Sequence, residues 1–332
     1  PPDMDPILDE PELADRLVRR IADQQLARVL PLGALTLGLG GERLSEMAGL
    51  RKAGCIAFSQ ANRPITDTQS LLRALEYAAS FNFPVWLQPQ DYYLGRGGVA
   101  HDGEVANRLG LAGIPVSAET IAIATLLTLA ADVGVRLHLS HISSAAGIAM
   151  IASAQEEGIP VSCDVTIHHL HLSEHDIGFF DTNARFAPPL RSLRDRDGLR
   201  RAAAHGVASL CSNHSPHGRD HKLLPFDEAA PGSTGLELLL PLTLKWAAAE
   251  KLPLATALAR LTSDPARILG RDDLGHLGLG ATADVCLFDP EAEWQVSAEN
   301  LQSRGKNTAF LGYPLTGRVR QTLVAGRPVL PA

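Results

Sequence analysis

The 332-residue sequence contains few aromatic residues, few cysteines and no long apolar run. Aromatic residues make up 5% of the chain, the net charge is −7, and no basic stripe is present, so a nucleic-acid partner is not expected. No stretch of about 18 or more apolar residues occurs, and we therefore expect no transmembrane helix. The 45% hydrophobic content is ample for one large globular domain or two smaller ones.

The four cysteines form no CxxC pair, and each lies in a short apolar run that is typical of a strand. They are Cys55, Cys163, Cys211 and Cys286. Buried free thiols in a reducing compartment are the simplest interpretation. No signal peptide is visible at the start. We therefore expect a cytoplasmic protein without disulfides.

Apolar strands alternate with helices over the first two-thirds of the chain. The predicted strands cover residues 27–35, 55–59, 84–88, 135–141, 160–166 and 206–213. The predicted helices cover residues 42–54, 66–81, 118–133, 144–158, 193–204, 236–250 and 254–261. This alternation is typical of parallel strands covered by helices on the outside. Six such units are two short of an eight-stranded barrel, and the sequence starts without methionine, so we expect two further strands upstream.

The sequence pattern changes after residue 262, which we take as a boundary. Residues 1–262 are predicted to form the barrel, incomplete at its N-terminus. Residues 263–332 are predicted to form a short helix, "TSDPARILG", and part of a small β domain. The β segments cover 281–290, 293–298 and 317–330, the last a hairpin around Ala325-Gly326.

The segment "SLCSNHSPHGRDHK" places three histidines and an aspartate where a buried strand runs into a loop. That composition is typical of a metal or acid/base site. The predicted strand, however, ends at Asn213. An asparagine side chain cannot take up a proton near neutral pH and is a poor metal ligand.

Seven segments resemble, in order and spacing, those of type I dihydroorotases of the amidohydrolase superfamily. They are "PPDMDPILDEPE", "HLSHIS", "CDVTIHHLHL", "FAPPLR", "SNHSPH", "LTSDPARILG" and "ATADVCLFDP". The resemblance covers essentially the whole chain. It implies a TIM-like (β/α)8 barrel beside a small β-sandwich built from both chain ends. It also implies that two strands and a metal-binding HxH motif precede Pro1, and that the family reaction is the reversible cyclisation of carbamoyl-aspartate to dihydroorotate.

The same resemblance implies which positions would form the metal centre. Ala61 matches a bridging acidic ligand, Gln88 a histidine ligand, and Asn213 the aspartate that binds metal and acts as general base. A methyl group cannot bind a metal, and a neutral amide binds zinc poorly. Only His141 keeps a ligand at its position. We therefore expect no catalytic residue and no bound metal, the zinc of active relatives being lost.

The resemblance also implies a vestigial substrate pocket. Ala187 matches the asparagine of the family's NPPLR motif, and His217 matches the second histidine of its DHxPH motif. Pro231 and Gly232 match the family's substrate loop.

Other polar side chains offer alternative metal sites, each weighed against an ordinary structural role. His138 and His141 are three residues apart, so on one strand they would face opposite sides unless the strand ends between them. Asp91, which matches a family position, and Asp164 are the nearest spare carboxylates. The resemblance places His168 and His169 in a family HHL motif at a strand end, and the other histidines are expected to line polar loops or to form hydrogen bonds within them. None of the remaining histidines is expected to bind a metal, because a catalytic zinc needs about three converging ligands. They are His168, His169, His171, His175, His214 and His221, with Asp220 beside the last.

The loss of ligands favours one subgroup of the family. In some bacteria an inactive dihydroorotase-like chain binds aspartate carbamoyltransferase and is needed for its assembly. We expect such a structural partner in pyrimidine biosynthesis, as a homo-oligomer (a dimer) within a larger complex. Two alternatives remain open. One is an active zinc-dependent dihydroorotase or related cyclic amidohydrolase with altered ligands, including His141 and Asp91. The other is a ligand-binding regulator that uses His217 and Arg191.

Overall fold

The computed structural model describes residues 1–24 and 26–329. Its strands, in chain order, are β1 (Leu32–Ala34), β2 (Ala57–Ser59), β3 (Val85–Leu87), β4 (Ala100–His101), β5 (Gly113–Ile114), β6 (Leu137–Leu139), β7 (Val161–Thr166), β8 (Ser209–Cys211), β9 (Val285–Gln295), β10 (Pro314–Val324) and β11 (Arg327–Pro328). Its α-helices are α1 (Pro11–Gln24), α2 (Met47–Lys52), α3 (Thr68–Ser80), α4 (Tyr92–Gly95), α5 (Glu104–Leu109), α6 (Val116–Val133), α7 (Ala145–Glu156), α8 (Leu193–His205), α9 (Leu239–Glu250), α10 (Leu254–Ala259) and α11 (Ser263–Leu269).

Within these residues one parallel sheet carries the strand order β1-β2-β3-β6-β7-β8. Each of its strands corresponds to a predicted one, although several are shorter. The helices between them cover one face of the sheet, and β9, β10 and β11 form a separate antiparallel sheet. The parallel sheet with its intervening helices and the separate antiparallel sheet agree with the predicted α/β fold. That two further strands precede residue 1 remains a prediction.

The pairing register separates an outer row of the parallel sheet from an inner row. Phe58, Val85, Leu137 and Val161 pair in succession and are all buried. The next residue on each strand belongs to the inner row, because successive side chains point to opposite faces. That row is Ser59, Trp86, His138 and Ser162. The inner row therefore carries polar side chains and one tryptophan, whereas the outer row is entirely apolar.

Local sequence signals set the helix ends. Ser144 caps α7 by accepting a hydrogen bond from the Gly147 N–H, and Ser192 caps α8 in the same way through Asp195. Gly206 ends α8 at a φ of 85°. Glycine is favoured there, because an L side chain is strained in the left-handed region. These ends fix where the loops after β6 and β7 join their helices.

The small antiparallel sheet differs in detail from its prediction. The two segments predicted at 281–290 and 293–298 are one continuous strand, β9, because it pairs along its length with β10. The hairpin at Ala325-Gly326 forms as expected, with both residues at positive φ. Residues 330–332, the end of the predicted β segment and domain, lie outside the described residues. The division at residue 262 remains a prediction.

The region between β3 and α6 was not predicted. It contains β4 and β5, of two residues each, and α4 and α5, of four and six residues. Segments this short do not complete a readable hydrophobic period, so their existence depends on tertiary contacts.

The expected burial of the cysteines is only partly correct. Cys55 and Cys163 are buried and free, but Cys211 is half-buried and Cys286 is exposed. Cys286 lies on β9, where few side chains are covered by another layer.

Helix α6 is long and apolar enough to cross a membrane by length and composition alone. Its buried residues Ile123, Leu126, Leu127 and Ala130 belong to the core, and the helix contacts α3 and α7. That is the arrangement of a helix that covers a sheet. The expected absence of membrane and nucleic-acid partners, and the cytoplasmic location, remain predictions.

Candidate functional site

A cavity of about 580 Å³ runs along the parallel sheet, from Leu30 and Ile56 before β1 and β2 to the carboxyl ends of the strands. Most of the positions singled out from the sequence line it: Ala61, Gln88, His141, Ala187, Asn213, Pro231 and Gly232. His217 lies behind this wall, where its Nε2 is 2.9 Å from the Pro231 carbonyl oxygen. In barrels of this type, catalytic groups collect at this end. The fold therefore gathers these positions at one site.

Three of the lining residues share an unusual backbone conformation. Ala61, His141 and Asn213 have φ values of 51°, 60° and 39°, and each lies two residues beyond the end of its strand. Non-glycine residues rarely adopt positive φ, and such strain collects at functional sites. The chain therefore makes the same left-handed turn after β2, β6 and β8. It does so even at Ala61, whose side chain is only a methyl group.

The zinc centre implied by the family resemblance does not fit the side chains at these strand ends. Ala61 offers no donor, and Gln88 and Asn213 offer only neutral amides. His141 alone provides a good zinc ligand among these four positions. A metal with three converging protein ligands cannot be built from them.

Asp164, in the middle of β7, is a buried carboxylate that lines the cavity. Its Oδ1 accepts hydrogen bonds from the His141 backbone N–H and the Cys211 thiol, each at 2.9 Å, and its Oδ2 is 2.9 Å from His138 Nε2. Burial by itself would raise the pKa of Asp164, but the His138 hydrogen bond and the two nearby imidazoles hold it well below its usual range. Asp164 is therefore an ionised carboxylate at neutral pH.

His138 and His141 approach the same carboxylate although they are three residues apart. Strand β6 ends at Leu139, and the chain then turns into the left-handed conformation at His141. The strand rule that would place them on opposite faces applies only within a strand. His138 Nδ1 also lies 2.9 Å from the Ser162 hydroxyl, so His138 is held at both ring nitrogens.

The four histidines after β7 differ in burial, and of the two that were predicted to line a polar loop His175 is exposed, whereas His171 is half-buried against α9. His168 and His169 are buried, and burial lowers the pKa of His168 to about 3 and that of His169 to about 4. His171 Nε2 donates to the Leu242 carbonyl oxygen at 2.9 Å, and burial lowers its pKa to about 4. His175, by contrast, is exposed. None of these four belongs to a candidate metal cluster within the described ranges.

The loop after Asn213 is held by hydrogen bonds, as expected for its polar side chains. His214 Nδ1 accepts from the Gly235 N–H at 3.1 Å. Asn307, which the sequence did not indicate, accepts from the His217 N–H and donates to the Ser215 and Gly232 carbonyl oxygens. It lies about ninety residues away along the chain, and no sequence signal links it to this loop.

Two predicted groups do not reach the cavity. Arg191 is buried, with Nε donating to the Ser143 hydroxyl and Nη1 to the Ile114 carbonyl oxygen. The prediction that His217 and Arg191 together form a ligand pocket is therefore wrong. Asp91 caps α4 by accepting from the Leu94 N–H at 2.8 Å and lines a separate small pocket.

Comparison with family models and known proteins supports the predicted amidohydrolase-type fold. Residues 3–146 match the model described as "Dihydro-orotase-like", and residues 245–330 match the model described as "Amidohydrolase family". A "Dihydroorotase-like protein" of Pseudomonas putida is 46% identical over 98% of this chain and 77% of that protein. A "Dihydroorotase" of Geobacter sp. (strain M21) is 36% identical over 100% of this chain and 78% of that protein.

Among solved structures, an L-hydantoinase from Arthrobacter aurescens superimposes with a TM-score of 0.84. It is 23% identical, and the match covers 98% of this chain and 75% of that one. This likeness concerns the fold alone. The sequence identity of 46% and 36% to the two curated proteins, over nearly the whole chain, also shows the family. This chain belongs to the dihydroorotase-like family of amidohydrolases.

Proposed function

We propose that this chain is a non-catalytic dihydroorotase homologue that acts as a structural partner of aspartate carbamoyltransferase in pyrimidine biosynthesis. One observation carries the proposal. Three of the four strand ends around the cavity, Ala61, Gln88 and Asn213, keep the backbone position of a site but lack its donor groups.

The chemistry of ring opening explains why this matters. Hydrolysis of a cyclic amide by this family needs a metal-activated water and a carboxylate that moves the proton. Asn213 lies where the resemblance places that base, and an amide cannot accept a proton at neutral pH. The loss of a positioned general base alone lowers a rate by about 10²–10⁴-fold.

A surface suited to a protein partner lies beside the cavity. Phe179 and Leu223 are 89% and 68% exposed, and their neighbours Phe180 and Leu224 are exposed too. The two loops are joined, because Lys222 Nζ donates to the Thr182 carbonyl oxygen at 2.9 Å. Contiguous exposed apolar side chains are typical of interaction surfaces. We call this set the 179/223 patch.

The proposal predicts a stable complex without dihydroorotase turnover. The full-length chain mixed with the catalytic chain of aspartate carbamoyltransferase at micromolar concentration should co-elute in gel filtration with light scattering. The double variant Phe179→Ser/Leu223→Ser should weaken the complex at least about tenfold, since apolar anchors dominate binding. The matched control Leu277→Ser, at a residue 84% exposed elsewhere, should not.

Separate elution of the two wild-type proteins would contradict the partnership. Dihydroorotate hydrolysis by the purified full-length chain would contradict the absence of catalysis. The mass of the chain alone in the same experiment tests the expected dimer.

A second candidate is an active zinc-dependent dihydroorotase, or a related cyclic amidohydrolase, with altered ligands. The ionised Asp164 beside His141 at the cavity favours it. Turnover of dihydroorotate that is lost in Asp164→Asn, with binding of the carbamoyltransferase unchanged, would support this candidate.

A further inference from the structure

Three neighbouring strands bring a histidine, a carboxylate and a thiol together at one wall of the cavity. One donor atom each from His141, Asp164 and Cys211 lies within 4.8 Å of the other two. The strands β6, β7 and β8 are adjacent and parallel, and Asp164 pairs with Ser209. Cys211, two residues beyond Ser209, points to the same face. The register of the sheet therefore brings these three side chains together.

A second observation at the same place points to a ligand. His141 Nδ1 is buried and has no hydrogen-bond partner among residues 1–24 and 26–329. A buried polar atom without a partner is destabilising and is rare in folded proteins. Within the described residues, therefore, no protein group donates a hydrogen bond to His141 Nδ1 or accepts one from it.

We propose that His141, Asp164 and Cys211 bind one zinc-type divalent cation, displaced from the centre that the family resemblance implies. Imidazole, carboxylate and thiolate together suit zinc rather than magnesium or calcium. Zinc bonds of about 2.0–2.3 Å place tetrahedral donors about 3.3–3.8 Å apart. The three donors need to move by about 1 Å at most, and the fourth position is left for water.

Cation binding has a definite proton balance. The Cys211 thiol now donates to Asp164 Oδ1 at 2.9 Å. On binding, the S–H bond breaks, the thiolate forms a bond to the cation, and the proton leaves to solvent. Asp164 keeps its second oxygen bonded to His138, which is how metal-binding carboxylates are usually held.

This site differs from the family centre in its chemistry as well as its place. Ala61, Gln88 and Asn213 contribute nothing to it, and His141 is shared by both arrangements. The sulfur ligand gives it a signature that a centre of nitrogen and oxygen donors lacks. The inference does not depend on the proposed function, because a cation held here is compatible with a structural role.

The test uses the metal-stripped full-length chain titrated with Co²⁺, and separately with Zn²⁺ in competition with a chromophoric chelator. We expect one equivalent of Co²⁺ to give the near-ultraviolet thiolate-to-cobalt band and the intense visible bands of tetrahedral cobalt. Cys211→Ser should abolish the charge-transfer band and weaken Zn²⁺ binding at least about 100-fold, and His138→Gln should weaken it about 10–100-fold. Cys286→Ser, at an exposed cysteine on β9, is the matched control and should retain the band.

The wild-type titration decides the outcome even if a variant fails to fold, which thermal unfolding of the metal-free protein will show. Cobalt bound without a charge-transfer band would overturn the proposal, because the ligands would then lack sulfur. A band that persists in Cys211→Ser, or the absence of stoichiometric binding, would overturn it equally.

Discussion

Lowering the pH from 7.5 to 5.0 should reduce the free energy of unfolding by about 6 kcal/mol. Burial holds the pKa of His168 at about 3 and those of His169 and His171 at about 4. In the unfolded chain these histidines titrate near 6.5, so below that pH the unfolded state binds more protons. Each histidine then contributes about 2 kcal/mol of lost stability at pH 5. The loss begins near pH 6.5 and is complete near the folded pKa values.

Urea unfolding followed by circular dichroism at pH 7.5, 6.0 and 5.0 measures this effect. His171→Gln should remove about a third of the pH dependence, because glutamine can still donate to the Leu242 carbonyl oxygen but does not titrate. His205→Gln, at an exposed histidine, should leave the dependence unchanged. Equal unfolding midpoints at the three pH values would contradict the prediction. Asp164 does not contribute to the change between pH 7.5 and 5.0. Its pKa in the folded protein is lowered, so its contribution to stability is lost only below about pH 3.9.

Replacing Glu119 by alanine should lower the free energy of unfolding by about 3–5 kcal/mol. Glu119 lies on α6, is 3% exposed, and accepts hydrogen bonds from the backbone N–H and hydroxyl groups of both Ser143 and Ser144. Alanine would leave these buried donors without partners. Since Arg191 donates to the Ser143 hydroxyl, its buried charge would lose support as well.

Chemical unfolding at pH 7.5 tests this prediction. Glu119→Gln keeps one acceptor oxygen and should cost less than alanine. Asp132→Ala, at an exposed acid on the same helix, should change stability by less than about 0.5 kcal/mol. A loss below about 1 kcal/mol in Glu119→Ala would mean that the serine donors find water instead. The same variant should also weaken Co²⁺ binding, because Ser143 and Ser144 lie only two and three residues after His141.

The sequence predicted the large elements because their signals are local. Strands such as 160–166 and helices such as 144–158 have a readable hydrophobic period and end signals such as Ser144 and Gly158. The two-residue strands β4 and β5 and the four-residue helix α4 do not, since each exists only by contact with the rest of the fold. The continuous strand β9 was divided in the prediction for a related reason. Its pairing with β10, and not its own composition, sets its length.

The cavity shows the same division between local pattern and packing. The positions Ala61, Gln88, His141 and Asn213 follow from the sequence, since strand ends in a parallel sheet meet at one edge. The environment of Asp164 could not be predicted from the sequence. Its partners His138, His141 and Cys211 come from three strands, and their approach depends on register and on a left-handed turn at His141.

By itself the sequence determined the fold class, the family and the identity of the side chains at each strand end, because these depend on order and spacing along the chain. Only the tertiary structure decided that Arg191 is a buried support, that His168 and His169 are buried, and that His141, Asp164 and Cys211 share one wall. Burial and distance between remote residues are set by packing, and a hydrogen bond or metal site depends on separations of a few ångströms that sequence spacing does not encode.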